Sequence, residues 1–155
     1  MISLRDVLLS DIDNLHKSAN MIEAGQYMSR YLPIGNTYEQ MLENTLAWKI
    51  IEVESEATGV IWLDRTDNPE CTVLGMLLFS SNYFSKGIGS SSIQLLFSYL
   101  KAHKWFGTVY LNVRESNQRA ISCYKRVGFQ QIGVGIKNQG HSEIRYIKMR
   151  VVLAR

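Results

Sequence analysis

The spacing of apolar positions alternates along the chain between the two-residue period of strands and the three-to-four-residue period of helices. Ile2 to Arg5 reads as a short strand, and a helix begins near Ser10 or Asp11, where Ile12, Leu15 and Ala19 recur at helical spacing. Residues 21–35 show no period that separates helix from loop. Thr37-Tyr38-Glu39-Gln40 is a capping box, in which the threonine oxygen accepts from the N3 amide and the glutamine reaches back, so a helix is expected from there to about Trp48. Residues 49–54 and 59–64 form a predicted hairpin, and a longer strand is expected over 71–79 after the turn Thr66-Asp67-Asn68-Pro69. The next helix opens at Gly87-Ile88-Gly89, carries Ile93, Leu96, Phe97 and Leu100 on one face, and ends near His103.

Residues 108–113 make a β-branched strand, and Ser116 is the expected cap of a helix with Ala120, Tyr124 and Val127 inward and Gly128 as its C′ stop. Strands over 129–136 and 145–153 flank the turn Lys137-Asn138-Gln139-Gly140. The resulting order is β-α-α-β-β-β-α-β-α-β-β, a mixed α/β (α+β) class. Proline occurs only at Pro33 and Pro69, and no linker or repeat marks a boundary, so residues 1–155 are read as one domain.

Composition adds little: 46% hydrophobic and 20% charged residues are ordinary for a globular protein. The N-terminus lacks the pattern of a signal peptide and no stretch reaches the ~18 apolar residues of a membrane helix, so a cytoplasmic protein without a membrane partner is expected. Cys71 and Cys123 are far apart and are read as reduced packing residues. His16, His103 and His141 stand singly, without metal-ligand spacing, and no metal is expected.

Charge changes the picture more. The net charge of +3 is the sum of −7 over residues 1–80, with five Lys/Arg against twelve Asp/Glu, and +10 over residues 81–155, with twelve against two. A polyanion met by the second half and a cation met by the first would suit this split; so would solvated faces that simply differ in sign. The Lys/Arg residues are not clustered with interleaved aromatics, and no nucleic-acid partner is expected.

The segment that carries chemistry is a strand ending in Ser80-Ser81-Asn82-Tyr83-Phe84-Ser85-Lys86, followed by Gly87-Ile88-Gly89-Ser90-Ser91. Glycines let backbone amides converge, and the first-turn amides of a helix lack intrahelical partners and face negative charge favourably, so this loop is built to hold a phosphate. It is neither a Walker loop nor a dinucleotide fingerprint, because Ser92 stands where a third glycine would be needed. Downstream runs Leu111-x-Val113-x-x-x-Asn117-x-Arg119-Ala120-x-x-x-Tyr124-Lys125-Arg126-x-Gly128-Phe129.

Together these two runs resemble the cofactor core of the GNAT N-acetyltransferase superfamily, over about residues 74–136, and Met28-Ser29-Arg30-Tyr31-Leu32-Pro33 is similar to the branch that includes ribosomal-protein N-acetyltransferases. The resemblance implies a GNAT-like domain: a mixed, mostly antiparallel sheet of six to seven strands, splayed at the cofactor site and flanked by about four helices. It implies acetyl-CoA as cosubstrate, with the backbone of Leu78, Phe79 and Ser80 along its pantetheine arm. Amides and hydroxyls from Ser85, Lys86, Gly87, Ile88, Gly89, Ser90 and Ser91 would lie at the pyrophosphate. Asn117 would bond the pantetheine or acetyl-bearing end, Arg119 would lie near the nucleotide, and the Tyr124 phenol would protonate the leaving thiolate; a plain core aromatic is the other reading of Tyr124.

Two departures stand out. Phe84 replaces the Gln or Arg that opens the family's loop motif, so that one polar phosphate contact is expected to be lost and Lys86 to compensate. Val73 and Leu74 precede Gly75 where the ribosomal-type branch often has a glutamate, leaving Glu70 as the nearest carboxylate to serve as base. The implied function is acetyl transfer to a primary amine, on a small molecule or a protein N-terminus, by direct attack in a ternary complex; an acyl-CoA-binding sensor without turnover is the alternative, and a homodimer is left open. A lysine with pKa ~10.4 costs about 4.6 kcal/mol to deprotonate at pH 7 and an α-amine at ~7.8 costs about 1.1, so weak base machinery leans towards the α-amine.

Overall fold

The computed structural model describes residues 1–21 and 30–155. Its elements are β1 (Ile2–Asp6), α1 (Ile12–Met21), α2 (Tyr38–Glu43), β2 (Thr45–Val53), β3 (Glu56–Arg65), β4 (Cys71–Leu78), α3 (Ile88–Ala102), β5 (Gly107–Arg114), α4 (Gln118–Arg126), β6 (Gln130–Gln139) and β7 (Ser142–Leu153). The strands form one seven-stranded sheet in the order β1-β2-β3-β4-β5-β7-β6. Every neighbouring pair is antiparallel except β4 and β5. The expected class and splayed, mostly antiparallel sheet are therefore what the chain adopts. Most of the 21–35 stretch left unassigned lies outside the described residues.

Alternating side chains divide the core between the two faces of the sheet. One face packs Ile61, Leu63, Leu74, Leu111 and Met149 under Ile93, Leu96 and Leu100 of α3 and Ile121 of α4. Each such apolar side chain contributes roughly 1.5–3 kcal/mol when fully buried. The opposite face of β2, β3 and β4 packs Trp48, Ile50, Val60, Trp62 and Leu77 with Leu15 and Ala19 of α1 and with Tyr38 and Met41 of α2.

Three local readings are corrected. The capped helix stops at Glu43 instead of running to Trp48: Asn44 caps it, the Thr45 hydroxyl donates to the carbonyls of Met41 and Leu42, and β2 begins at once. Ala47 and Trp48 point to opposite faces into the two cores, a strand alternation that outweighs the helical spacing. In the box itself Thr37 Oγ1 accepts from Gln40 N at 3.1 Å, but Gln40 Oε1 accepts from the amide of Asn36, not of Thr37. The cap of α4 is Asn117 instead of Ser116, with Asn117 Oδ1 accepting from Ala120 N at 3.3 Å. The β6–β7 hairpin is longer than expected, turning at Gly140 and His141 with φ +63° at Gly140.

Candidate active site

The site is made where β4 and β5 part. They pair only over Cys71–Val73 against Thr108–Tyr110; beyond that point β4 continues to Leu78 and β5 to Arg114 without pairing to each other. This leaves a wedge edged by backbone amides and carbonyls, which need partners from a ligand or water.

At the end of β4 the chain makes a tight turn at Ser81–Tyr83, with the Ser80 hydroxyl accepting from Asn82 N at 3.1 Å. Ser85 (φ +60°) and Gly87 (φ +78°) are both left-handed, and they swing the backbone into the N-terminus of α3. Gly87 is the N-cap and supplies no side-chain cap, so the first-turn amides of this fifteen-residue helix remain available. Gly89 keeps the second residue thin: a Cβ there would lie 3.1 Å from Met76 Cε and 3.2 Å from Cys123 Sγ.

A cleft of about 540 Å³ opens in front of these amides, between the start of α3 and one face of α4. Leu78, Ser85, Gly87, Ile88, Gly89, Ser90 and Arg119 line it. Phe79 and Ser80 at the strand end and Lys86, Ser91 and Asn117 nearby are not on its wall. The wall also has contributors that the sequence reading passed over: Met76, Tyr83, Ser122, Cys123 and Arg126. Arg119, Ser122, Cys123 and Arg126 recur at helical spacing, which places them on one face of α4 and is the sequence signal for this wall. Cys123, read as a packing residue, is buried yet lies on the wall, with Sγ 3.4 Å from Ser90 Oγ.

Phe84 is not an empty substitution. The Arg119 guanidinium stacks on its ring, 3.5 Å from the centroid. The cation beside the cleft is thus held by the residue that departs from the family pattern, whereas Lys86 is exposed away from the wall.

The two expected catalytic groups are placed differently. Tyr124 is buried in the α3/α4 core, edge-on to Phe129 at 5.8 Å, and burial raises its phenol above the ordinary tyrosine range. The cleft reaches Cys123 beside it but not the Tyr124 ring. Glu70 is exposed in the turn before β4, with its amide on Asn68 Oδ1, at the end of the strand opposite the cleft. At ~3.3 Å per residue that is roughly 25 Å from Leu78. The structure does not bring Glu70 to the site.

A different carboxylate does approach the wedge. Asp64 of β3 pairs with Val73, and Val73 with Tyr110 at the last position where β4 and β5 are joined. Asp64 is 6% exposed; its Oδ2 accepts from Arg30 at 2.7 Å, while its Oδ1 has no donor among the described residues. Trp62, two residues earlier on the same face, lies across Gly75, where a Cβ would come 2.2 Å from its ring.

Residues 9–129 match the model of the acetyltransferase (GNAT) family. The chain belongs to this family. Its sequence is 28% identical over 102 residues to the spermine/spermidine N(1)-acetyltransferase of Bacillus subtilis (strain 168), and this match spans 64% of the chain but only 60% of that relative. Over 141 residues it is 26% identical to an N-alpha-acetyltransferase of Sulfurisphaera tokodaii, covering 84% of the chain and 81% of that protein. The fold is that of the Salmonella typhimurium acetyl transferase that modifies the N-terminal serine of ribosomal protein L7/L12, at TM-score 0.80, 17% identity and coverage of 99% and 95%. It is also that of a Vibrio cholerae spermidine N-acetyltransferase solved with CoA and spermine, at TM-score 0.77, 14% identity and coverage of 98% and 95%. In this GNAT chain, the open amides, the thin Gly89 and the two arginines of α4 form a setting favourable to a phosphate group. Among the described residues no helix is long and apolar enough to cross a membrane.

Proposed function

We propose that this chain transfers the acetyl group of acetyl-CoA to a primary amine by direct attack in a ternary complex. The observation that carries the reading is the open N-terminus of α3 facing α4 at the mouth of the β4–β5 wedge. Acetyl-CoA supplies the activated thioester; the chain binds and orients it. Amides of Gly87 to Ser91, with Arg119 braced on Phe84 and Arg126 beside it, hold the phosphates. The open edge of β4 up to Ser80 and the Asn117 amide hold the pantetheine arm.

On the other side of the wedge, Asp64 Oδ1 receives the acceptor's ammonium and takes its proton, a role the unsatisfied buried oxygen supports and Glu70 is too distant to fill. The neutral amine nitrogen bonds to the acetyl carbon, the resulting intermediate gives up its second nitrogen proton to water as the carbon–sulfur bond breaks, and Tyr124 donates its phenolic proton to the departing thiolate and is reprotonated from solvent. Holding both partners in one wedge converts an encounter of two molecules into an intramolecular step.

Burial of Tyr124 away from the cleft wall favours a second reading, a sensor that binds acyl-CoA without turnover. Thiol release from acetyl-CoA with a panel of amines separates the two: an α-amino peptide, a lysine amide, spermine and an aminoglycoside. Amine-dependent thiol release, with a matching acetylated product by mass spectrometry, is expected. A thermal shift with acetyl-CoA but no thiol release from any amine would leave the sensor.

A further inference from the structure

The face of the sheet that carries Trp62 and Asp64 is covered unevenly. Its buried cluster draws on α1, β2, β3 and β4, and includes no residue of β5, β7 or β6. On those three strands the same face presents Arg150 beside Tyr110 and Gln130, Lys148 beside Asn112 and Gly133, and Lys137 beside Ile144. Arg150, Lys148 and Lys137 are exposed. β5 and β6 contain no Asp or Glu, and Glu143 of β7 alternates in phase with Ile147 and Met149, so it belongs to the other face. Two glycines of β6 leave room on this face: a Cβ at Gly135 would strike the Tyr146 ring at 2.1 Å, and one at Gly133 would lie 3.9 Å from Lys148 Cδ.

We infer that this half-face docks an acidic stretch of polypeptide whose N-terminal amine is the acetyl acceptor, an assignment that rests on the acetyl-transfer reading. Charge complementarity carries it: three exposed cations stand on a surface without a carboxylate among the described residues, beside a wedge that would accept one ammonium. The row that holds Arg150 continues through Tyr110 and Val73 to Asp64, so cationic surface and buried carboxylate lie on one line across the sheet. From the Arg150 row to the Lys137 row is roughly 20 Å at ~3.3 Å per residue, the span of about six extended residues and too long for one amino acid. A nucleic acid offers the negative charge but no aliphatic amine, and a polyamine such as spermine offers the wrong sign.

The test uses the full chain loaded with CoA, and two labelled octapeptides with free N-termini, serine followed by Glu/Asp or serine followed by Lys/Arg. The acidic peptide should bind roughly tenfold tighter at about 50 mM salt, with the gap closing towards about 500 mM. Lys148→Glu with Arg150→Glu should erase or invert the preference, and Lys148→Ala with Arg150→Ala should reduce it; melting temperatures establish that both variants fold. Equal binding of the two peptides overturns the inference. So does a preference that survives charge reversal, or displacement of the acidic peptide by a lower concentration of single-stranded oligonucleotide. Steady-state transfer separates the two levels: acetylation of both peptides alike removes the docking surface and keeps the acetyltransferase, whereas charge-selective binding without acetylation does the reverse.

Discussion

At the scale of single residues, the proposed chemistry turns on Asp64, Tyr124 and Phe84. Asp64→Asn keeps size and one hydrogen-bonding oxygen but removes the base, so kcat/KM for the amine should fall about 10²-fold while acetyl-CoA affinity holds. An unchanged pH–rate profile in that variant would return Asp64 to a structural partner of Arg30. Tyr124→Phe should leave cofactor affinity near wild type and lower turnover by about 10²-fold if the phenol is the acid. The same variant has a signature in stability. The folded-state pKa of Tyr124 is raised above its unfolded value of ~10, chiefly by burial, so its contribution is complete below pH ~10 and is lost as pH rises from there through the folded pKa. Thermal melts from pH 8 to 11 should therefore fall less steeply in Tyr124→Phe. Phe84→Leu keeps an apolar side chain under Arg119 but removes the π face, and calorimetry should show acetyl-CoA binding weakened about three- to tenfold, the scale of a partly desolvated cation–π pair.

At the scale of elements, sequence and structure agree where a hydrophobic period is long and its ends are punctuated. α3 and its glycine-marked start were legible because Ile93, Leu96, Phe97 and Leu100 mark one face and Gly87 marks the entry. The short α2 was not, since Leu42 and Leu46 continue a helical spacing while pairing with β3 pulls residues from Thr45 onward into a strand. Glu70 illustrates a deeper limit: nearness along a strand says nothing about which end of the strand holds the site. Asp64 was invisible for the complementary reason, because its proximity to the wedge comes from pairing with Val73, nine residues away in the chain. The α3 entry can be tested as an element. Gly89→Ala asks only the flexible tip of Met76 and the Cys123 thiol to yield by a few tenths of an ångström, and should retain most binding. Gly89→Glu adds bulk and negative charge on the cleft wall, so the thermal shift produced by acetyl-CoA should vanish; a full shift in Gly89→Glu would remove the phosphate site from α3.

At the scale of the whole molecule, the charge division seen along the sequence becomes a division in space. The acidic first half contributes β1 to β4, with Asp64 at the wedge, while the basic second half contributes α3, α4 and the β5–β7–β6 half of the sheet. Arg119 and Arg126 stand on the cleft wall, so on the proposed reading the ligand's phosphates would meet the positive half directly. Contacts of this kind on an open cleft are screened by salt, since the Debye length shrinks from ~14 Å near 0.05 M to ~4 Å near 0.5 M. Acetyl-CoA dissociation constants measured by calorimetry across that range should rise about three- to tenfold. Arg126→Gln should weaken binding at low salt and flatten the dependence, because one of the cations being screened is gone. The melting temperature of the free protein should change far less, as its cores on both faces of the sheet are apolar and an exposed ion pair such as Arg145–Glu115 contributes little. A salt-independent dissociation constant, with Arg126→Gln indistinguishable from wild type, would mean that backbone amides alone hold the phosphates and that the basic character of α4 serves something else.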